Sequence, residues 1–327
     1  MRLHRRAPRL TLSGSVLAAA LVLAVSGCGS SSGASAGGKN LVVGLASEGL
    51  NAPFPVGIAN GVKSAAGAHG VKPVVLDGKL SETTQESDIQ TLIAEHVSGI
   101  IIDVIDPGPT TAMIRQAHAA NIPVFLVHGY AGSAPTSVYP GVAYEVNENE
   151  TKAGVEAGKM ALQADPAGGK AAIITGTPGY NAVAQRENGF TSVTGPTGKY
   201  KVVAVQPGNW LATGGYTACS SILRAHPDIG LFYTESDDMA LGCAKAEKAA
   251  GSRATMVSVG GEAAVKPLIT AGQVYGTVCY EPKTEGQIAM NAMYNLLTGK
   301  AHYNQTLNFY STPTVTKANL GGCGWQW

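Results

Sequence analysis

From Leu41 onward, short apolar runs alternate with longer amphipathic segments with little interruption. Strand-like runs at 41–46, 72–76, 99–103 and 122–127 are separated by helical periodicity over 55–69, 82–96 and 110–120. Val56, Ala59, Val62 and Ala66 share one face of the first helix, and Ile89, Leu92 and Ile93 share one face of the second. The strand runs are continuously apolar rather than alternating, which predicts burial on both faces of a parallel sheet built from βαβ units. Residues 129–141 break the rhythm with Gly, Pro and Ser. After a strand-like connection at 142–146, Asn149 is placed to cap a helix running to Leu162. The alternation then resumes with strands at 171–175, 201–206, 229–233, 255–259 and 273–279. The helices between them fall at 182–193, 213–226, 237–250 and 263–271, with a last helix at 285–297 and a strand-like tail from Thr306. Two consecutive doubly wound α/β units of some five strands each are the economical reading.

Ligands of open α/β sheets sit beyond the carboxyl ends of the strands. In the first unit those ends carry Asn51, Phe54, Asp103 and His128. In the second they carry Thr177 to Asn181 with Arg186 following, Gly208-Asn209-Trp210, Glu235-Ser236-Asp237 and Tyr280. Within GLFYTESDDMALG (230–242) a strand turns into a helix. Acids there suit the first helical turn, where they cap free N–H groups and complement the dipole. Asp238 is assigned to that helix start and Ser236 to the cleft. Asp237 serves the helix start and also stands among the ligand candidates. If both edges face one cleft, aromatic faces would stack on ligand C–H surfaces while Asp, Asn, Ser and Arg satisfy hydroxyls. A small polyhydroxylated ligand suits such a cleft.

Composition narrows the classes further. The chain has 327 residues, 45% hydrophobic and 14% charged, enough for two globular domains. Arg2, Arg5, Arg6 and Arg9 all precede residue 28, so the remainder carries 19 basic against 22 acidic residues, a net charge of −3. Without a basic tract, nucleic acid is a poor partner. The run Val16–Val25 behind a basic start is too short to span a bilayer as a resident helix, and fits a signal-peptide core. It ends in Val25-Ser26-Gly27-Cys28, which looks like a bacterial lipobox. The expectation is a signal peptide at 1–27, lipidation of Cys28, and a Gly/Ser tether at 28–39 reaching on the order of 18 Å. The protein would then be exported and anchored to the cell membrane, in a periplasm or on the outer face of the cytoplasmic membrane. Disulfides are allowed there. Cys219, Cys243, Cys279 and Cys323 admit three pairings. The flanking positions of Cys219 and Cys243 around one strand favour that pair, leaving Cys279 for Cys323. Neither these cysteines nor the seven histidines show metal-ligand spacing, so no metal and no cofactor are expected. The G-x-S-x-G match, Gly29 to Gly33, lies in the tether rather than on a strand-to-helix elbow, which argues against a hydrolase.

Five stretches carry a resemblance: Leu50-Asn51-Ala52-Pro53-Phe54, Ala119-Ala120-Asn121-Ile122-Pro123-Val124, Gln185-Arg186-Glu187-Asn188-Gly189-Phe190, Ala225-His226-Pro227-Asp228 and Asp237-Asp238-Met239-Ala240-Leu241-Gly242. In this order and spacing the chain resembles the ribose/galactose-type periplasmic binding proteins that serve ABC sugar importers, over about residues 40–315. The resemblance implies a type I fold: two doubly wound parallel-sheet lobes joined by a three-strand hinge near 144–147, 280–282 and 306–310. The N-terminal lobe would take 40–145 plus 281–306, and the C-terminal lobe 146–280 plus 307–327. It implies ligand contacts at Asn51, Phe54, Arg186, Trp210, Ser236 and Tyr280, to which the strand-end reading adds Asp103, His128 and Asp237. It also implies a monomer that catalyses nothing and docks on an ABC permease. Departures are informative. His128-Gly129 stands where ribose-type proteins often carry Asp-Arg, Val259-Gly260-Gly261 stands where they carry Phe-Asp-Gly, and Tyr280 stands where an amide is usual. His128 and Glu262 are the candidates to replace the missing groups. These departures point away from plain ribose or galactose, toward another pentose, a polyol, or a modified or deoxy sugar. Alternatives are an exported binding protein for a signal molecule or nucleoside and, less favoured, an exported hydrolase. The sensor of a LacI-type repressor shares the fold, but a leader occupies the place of its DNA-binding domain.

Overall fold

A computed structural model describes residues 40–327; the expected signal peptide, Cys28 and the tether to residue 39 lie outside the described residues. The first half forms β1 (Val42–Ser47), α1 (Pro53–Ala68), β2 (Lys72–Asp77), α2 (Glu82–Ala94), β3 (Gly99–Asp103), α3 (Pro107–Ala119), β4 (Val124–Val127) and β5 (Val142–Asn147). The chain then passes into α4 (Glu150–Ala164), β6 (Gly169–Thr175), α5 (Asn181–Thr194), β7 (Tyr200–Pro207), α6 (Ala212–Ala225) and β8 (Leu231–Thr234). It continues through α7 (Asp237–Ala250), β9 (Thr255–Gly260), α8 (Lys266–Ala271) and β10 (Gly276–Cys279), returns in α9 (Pro282–Leu297) and β11 (Thr306–Phe309), and ends beyond β12 (Thr314–Thr316).

Two six-stranded sheets result, ordered β11-β5-β4-β3-β1-β2 and β12-β10-β9-β8-β6-β7. All pairs are parallel except β10 with β12. Each sheet gains a sixth strand from the return of the chain, beyond the five expected. The first sheet is packed on one face by α1 and α9, against Val43, Leu45 and Phe125. Its other face is packed by α2 and α3, against Ile100, Ile102 and Leu126. The second sheet is covered likewise, with Ile174 and Phe232 facing α6 and α7, and Ile173 and Tyr233 facing α4 and α5. Both faces being buried is why the strands read as continuous apolar runs.

The chain crosses between lobes three times, after β5, after β10 and after β11. β11 pairs along its length with β5, Leu307 opposite Glu145 and Phe309 opposite Asn147. Residues 307–309 therefore lie in the first lobe rather than the second, and the last crossing falls at 310–313. Other boundaries shift for local reasons. The helix expected at 263–271 is a 3-10 turn (Ala263–Val265) followed by a short α8 with a proline in its first turn. α9 starts at Pro282, three residues earlier than its apolar stripe suggested, because a proline at the first helical position costs no hydrogen bond. Disulfides join Cys219 to Cys243, between α6 and α7, and Cys279 to Cys323, the pairing favoured from sequence. No helix of the described residues is long and apolar enough to cross a membrane.

Candidate functional site

Parallel register gathers the strand ends. Ala46 pairs with Ile102 and Asp103 with Val127, so Glu48, Val104 and His128 emerge together at one edge of the first sheet. Ile174 pairs with Thr234, and Thr234 with Ser258, which does the same for the second sheet. Between the two edges lies a cleft of about 780 Å³ of non-atom space, partly open to solvent. Phe54, His128, Arg186, Trp210, Ser236 and Tyr280 line it, together with Glu48, Tyr180, Asn181, Asn209, Asp238 and Trp327. Phe54 packs on His128 at 4.3 Å between centroids and edge-on to Tyr280 at 6.2 Å. Trp210 packs against Gly176, where any Cβ would collide with the indole, and Tyr180 meets it edge-on. Asn209 and Trp210 both adopt the left-handed conformation, φ +56° and +62°. Such backbone is unfavourable for side-chain-bearing residues, and it aims the indole inward.

Arg186 is buried and committed. Gly154 on α4 and Gly189 on α5 let the two helices approach at backbone contact, which places Glu150 beside Arg186. Glu150 accepts from Arg186 Nε and Nη2 at 2.5 and 2.9 Å, and from the Tyr280 hydroxyl at 2.6 Å, while Nη1 donates to the Glu235 carbonyl. The guanidinium lies over two rings, 5.3 Å from the Trp210 centroid and 5.1 Å from that of Tyr280. A guanidinium has five donors, so one N–H on each terminal nitrogen is left for a ligand. Fixing a cation this way presents those two donors without conformational cost at binding.

A second polar group lies where the first lobe meets the hinge. His128 Nδ1 contacts Glu148 Oε2 at 3.1 Å, and Glu285 Oε1 accepts from the His128 backbone N–H at 2.7 Å. Burial works against charge on His128, but attraction to Glu148, then to Glu48 and Asp103, outweighs it and lifts its pKa to about 10. Burial alone would raise Glu148, yet the His128 partner brings it down to about 2. Burial, and then Asp103, push Glu48 up to about 8, so at neutral pH it is mostly a neutral acid able to donate as well as accept. Glu148 also accepts from the Tyr310 hydroxyl at 2.6 Å, and that oxygen accepts from Glu281 N–H at 3.3 Å. Residues 148, 281 and 310 stand one on each crossover, so one network ties all three and ends on a cleft residue. His128, Glu148 and Glu150 lie close enough to ligate one cation. Glu150 already neutralises Arg186, however, and an ion there would compete with that pair.

Three expected contacts lie elsewhere. Asn51 is exposed and does not line the cleft; Ala52 and Leu80 stand at that rim. Asp103 is fully buried behind it, accepting from Glu48 N–H at 3.2 Å and the Ser47 hydroxyl at 3.4 Å. Asp237 is also fully buried. It accepts from Gly261 and Glu262 N–H at 2.6 and 2.9 Å and from the Thr277 hydroxyl at 2.8 Å, stitching α7 to β10 and the loop after β9. Asp238, one residue on, lines the cleft instead, and burial followed by Asp237 pushes its carboxyl up to about 6. Ser236 does both jobs, lining the cleft and capping α7 through Met239 N–H at 3.3 Å. Glu262 is buried outside the cleft lining. Glu48 was findable, since it directly follows β1. Nothing in the periodicity marks Trp327.

A profile of the periplasmic binding protein domain family matches residues 43–301. The ribose import binding protein RbsB of Bacillus subtilis is 28% identical over 264 residues, spanning 80% of this chain and 83% of its own. A D-apiose import binding protein of Actinobacillus succinogenes is 29% identical over 222 residues, 67% and 70% of the two chains. Among solved structures, an ABC transporter solute-binding protein of Mycobacterium smegmatis with bound glycerol superposes with a TM-score of 0.79 at 26% identity, covering 86% of this chain and 96% of that one. The binding component of the arabinose ABC transporter from Shewanella, bound to L-arabinofuranose, shares the fold with a TM-score of 0.79 at 22% identity over 86% and 93%.

Proposed function

The chain belongs to the periplasmic binding protein domain family, and on that premise we propose that it is the solute-binding protein of an ABC importer, capturing a small sugar or polyol between its lobes. One observation carries this reading. The cleft is lined by aromatic rings from both lobes, Phe54 and Trp210, together with a guanidinium whose remaining donors are held in place. Rings match the C–H faces of a sugar, and the donors match its hydroxyls. The relatives named for ribose and apiose import support the same class. The absence of an acid at Gly260 and the presence of His128 in place of a carboxylate favour a sugar other than plain ribose or galactose. Ligand contacts are proposed for Phe54, His128, Arg186, Trp210, Ser236, Asp238 and Tyr280. Closure would follow from contacts the second lobe makes only when shut, and the closed form would dock as a monomer on a membrane permease. Export and anchoring through Cys28 belong to the same reading, supported by the lipobox-like stretch. In keeping with its family of solute-binding proteins, the site is proposed to capture its ligand rather than convert it.

A thermal-shift screen of pentoses, hexoses, polyols, amino acids and nucleosides tests the substrate class. Stabilisation by one or more sugars or polyols is expected. A shift with only an amino acid or a nucleoside would overturn the sugar reading.

A further inference from the structure

Residues 317–327 belong to neither sheet. A 3-10 turn (Lys317–Gly322) leads to Cys323, whose disulfide to Cys279 pins the segment to the end of β10. Beyond it, Gly324 N–H donates to Glu281 Oε1 at 3.1 Å. The Gln326 amide then exchanges two hydrogen bonds with Thr284 on α9 of the first lobe, at 3.1 and 2.7 Å. The Trp327 carbonyl accepts from Ala263 N–H of the second lobe at 2.7 Å. Five residues thus span both lobes beside the second crossover, and they deliver an indole into the cleft wall. The Trp327 ring meets Phe54 edge-on, 5.2 Å between centroids and 88° between planes. Its Nε1–H is buried and has no acceptor among the described residues.

The backbone on the same wall is cleared for this segment. Gly260 lines the cleft, and a Cβ there would stand 2.8 Å from the Asp237 carboxyl carbon. Gly261, with φ +80°, backs onto the disulfide, where a Cβ would stand 2.8 and 2.9 Å from the two sulfurs. The loop after β9 therefore contributes no polar side chain at 260 or 261, and the segment behind it supplies a ring and a donor.

We propose that Trp327 is a ligand-contacting, specificity-determining residue. Its ring adds a further aromatic face to the cleft beside Phe54, and its Nε1–H donates to a ligand hydroxyl. The Cys279–Cys323 disulfide is the positioning element that holds it there. The proposal rests on the sugar-capture reading and adds to it a wall drawn from outside the two sheets.

The test uses calorimetric titration of the full chain with D-ribose, D-allose, L-arabinose, D-galactose, D-tagatose and myo-inositol, the tightest binder serving as probe. Trp327→Ala is expected to weaken the probe about tenfold, from loss of stacking and of one hydrogen bond. Trp327→Phe should restore part of that loss and change the order of preference within the panel. A Cys279→Ala/Cys323→Ala variant should also weaken binding, but add no further loss on the Trp327→Ala background, since both act through one contact. A disulfide with a merely structural role would cost the same affinity in both backgrounds, which would overturn the positioning role. Wild-type affinity in a folded Trp327→Ala or Trp327→Phe protein would overturn the contact itself while leaving sugar capture standing. Failure of every sugar to bind the wild type would overturn the sugar-capture reading, and this proposal with it.

Discussion

Arg186 is held in place by an acid partner. The residue is 4% exposed, and Glu150 is the acid that balances its charge and accepts two of its hydrogen bonds. Glu150→Gln would keep the shape while leaving a cation buried without a counter-charge, at a cost of about 3–5 kcal/mol for breaking such a pair. The same substitution would free the two ligand-facing donors from their fixed orientation. Denaturant unfolding should show the stability loss, and sugar titration should show a parallel loss of affinity. Unchanged stability would mean that the pair is solvated in solution. This residue also shows what a sequence can and cannot reveal. Arg186 was legible from the motif around it, whereas Glu150 was not. Its importance comes from a glycine-mediated contact between α4 and α5, thirty-six positions away in the chain.

At the start of α7 two adjacent acids face different ways, one into the protein and one into the cleft. Asp237 points into the protein and takes three hydrogen bonds from two neighbouring elements, while Asp238 faces the cleft. Asp237→Ala should therefore lower stability by about 2–4 kcal/mol, leaving buried donors unpaired, with Tm as the readout. Asp238→Ala should leave Tm nearly unchanged and weaken sugar binding severalfold; the reverse pattern would invert the assignment. The sequence reading, with Asp238 at the helix start and Asp237 among the ligand candidates, is inverted here, because consecutive helical residues differ by a rotation of about 100° that the pattern does not orient. Which one faces in depends on where β10 and the loop after β9 arrive. The elements themselves were legible, since doubly covered strands are uninterrupted apolar runs and helices between them keep one apolar stripe. Boundaries slipped where prolines begin helices, at α8 and α9, and where β11 paired before crossing.

Across the molecule, buried acids set the pH response. Burial pushes Glu48, Glu145, Glu235, Glu247 and Glu262 up to about 8. The folded state holds protons there that the unfolded chain would release near 4.5, so stability falls as pH rises from that value through 8. His128, lifted to about 10, stabilises fully below its ordinary value near 6.5, and that contribution fades as pH climbs through 10. Glu148, held near 2, acts oppositely and withdraws its contribution as pH falls below 4.5 toward 2. Thermal unfolding should be highest in mildly acidic solution and several degrees lower at pH 9 than at pH 6; a rise between pH 6 and 9 would contradict these shifts. The two-lobed plan was legible because alternation and spacing carry topology. The hinge network and the placement of Trp327 beside Phe54 were not, because they join residues far apart in sequence that meet only after folding.

Capture of a sugar between the facing aromatic and guanidinium groups of the cleft can be measured by titrating one sugar into wild-type protein and Trp210→Ala in parallel. Saturable binding in the micromolar range, about −8 kcal/mol, is predicted for the wild type, with at least tenfold weaker binding to the folded variant. Equal affinity of the two proteins would contradict it.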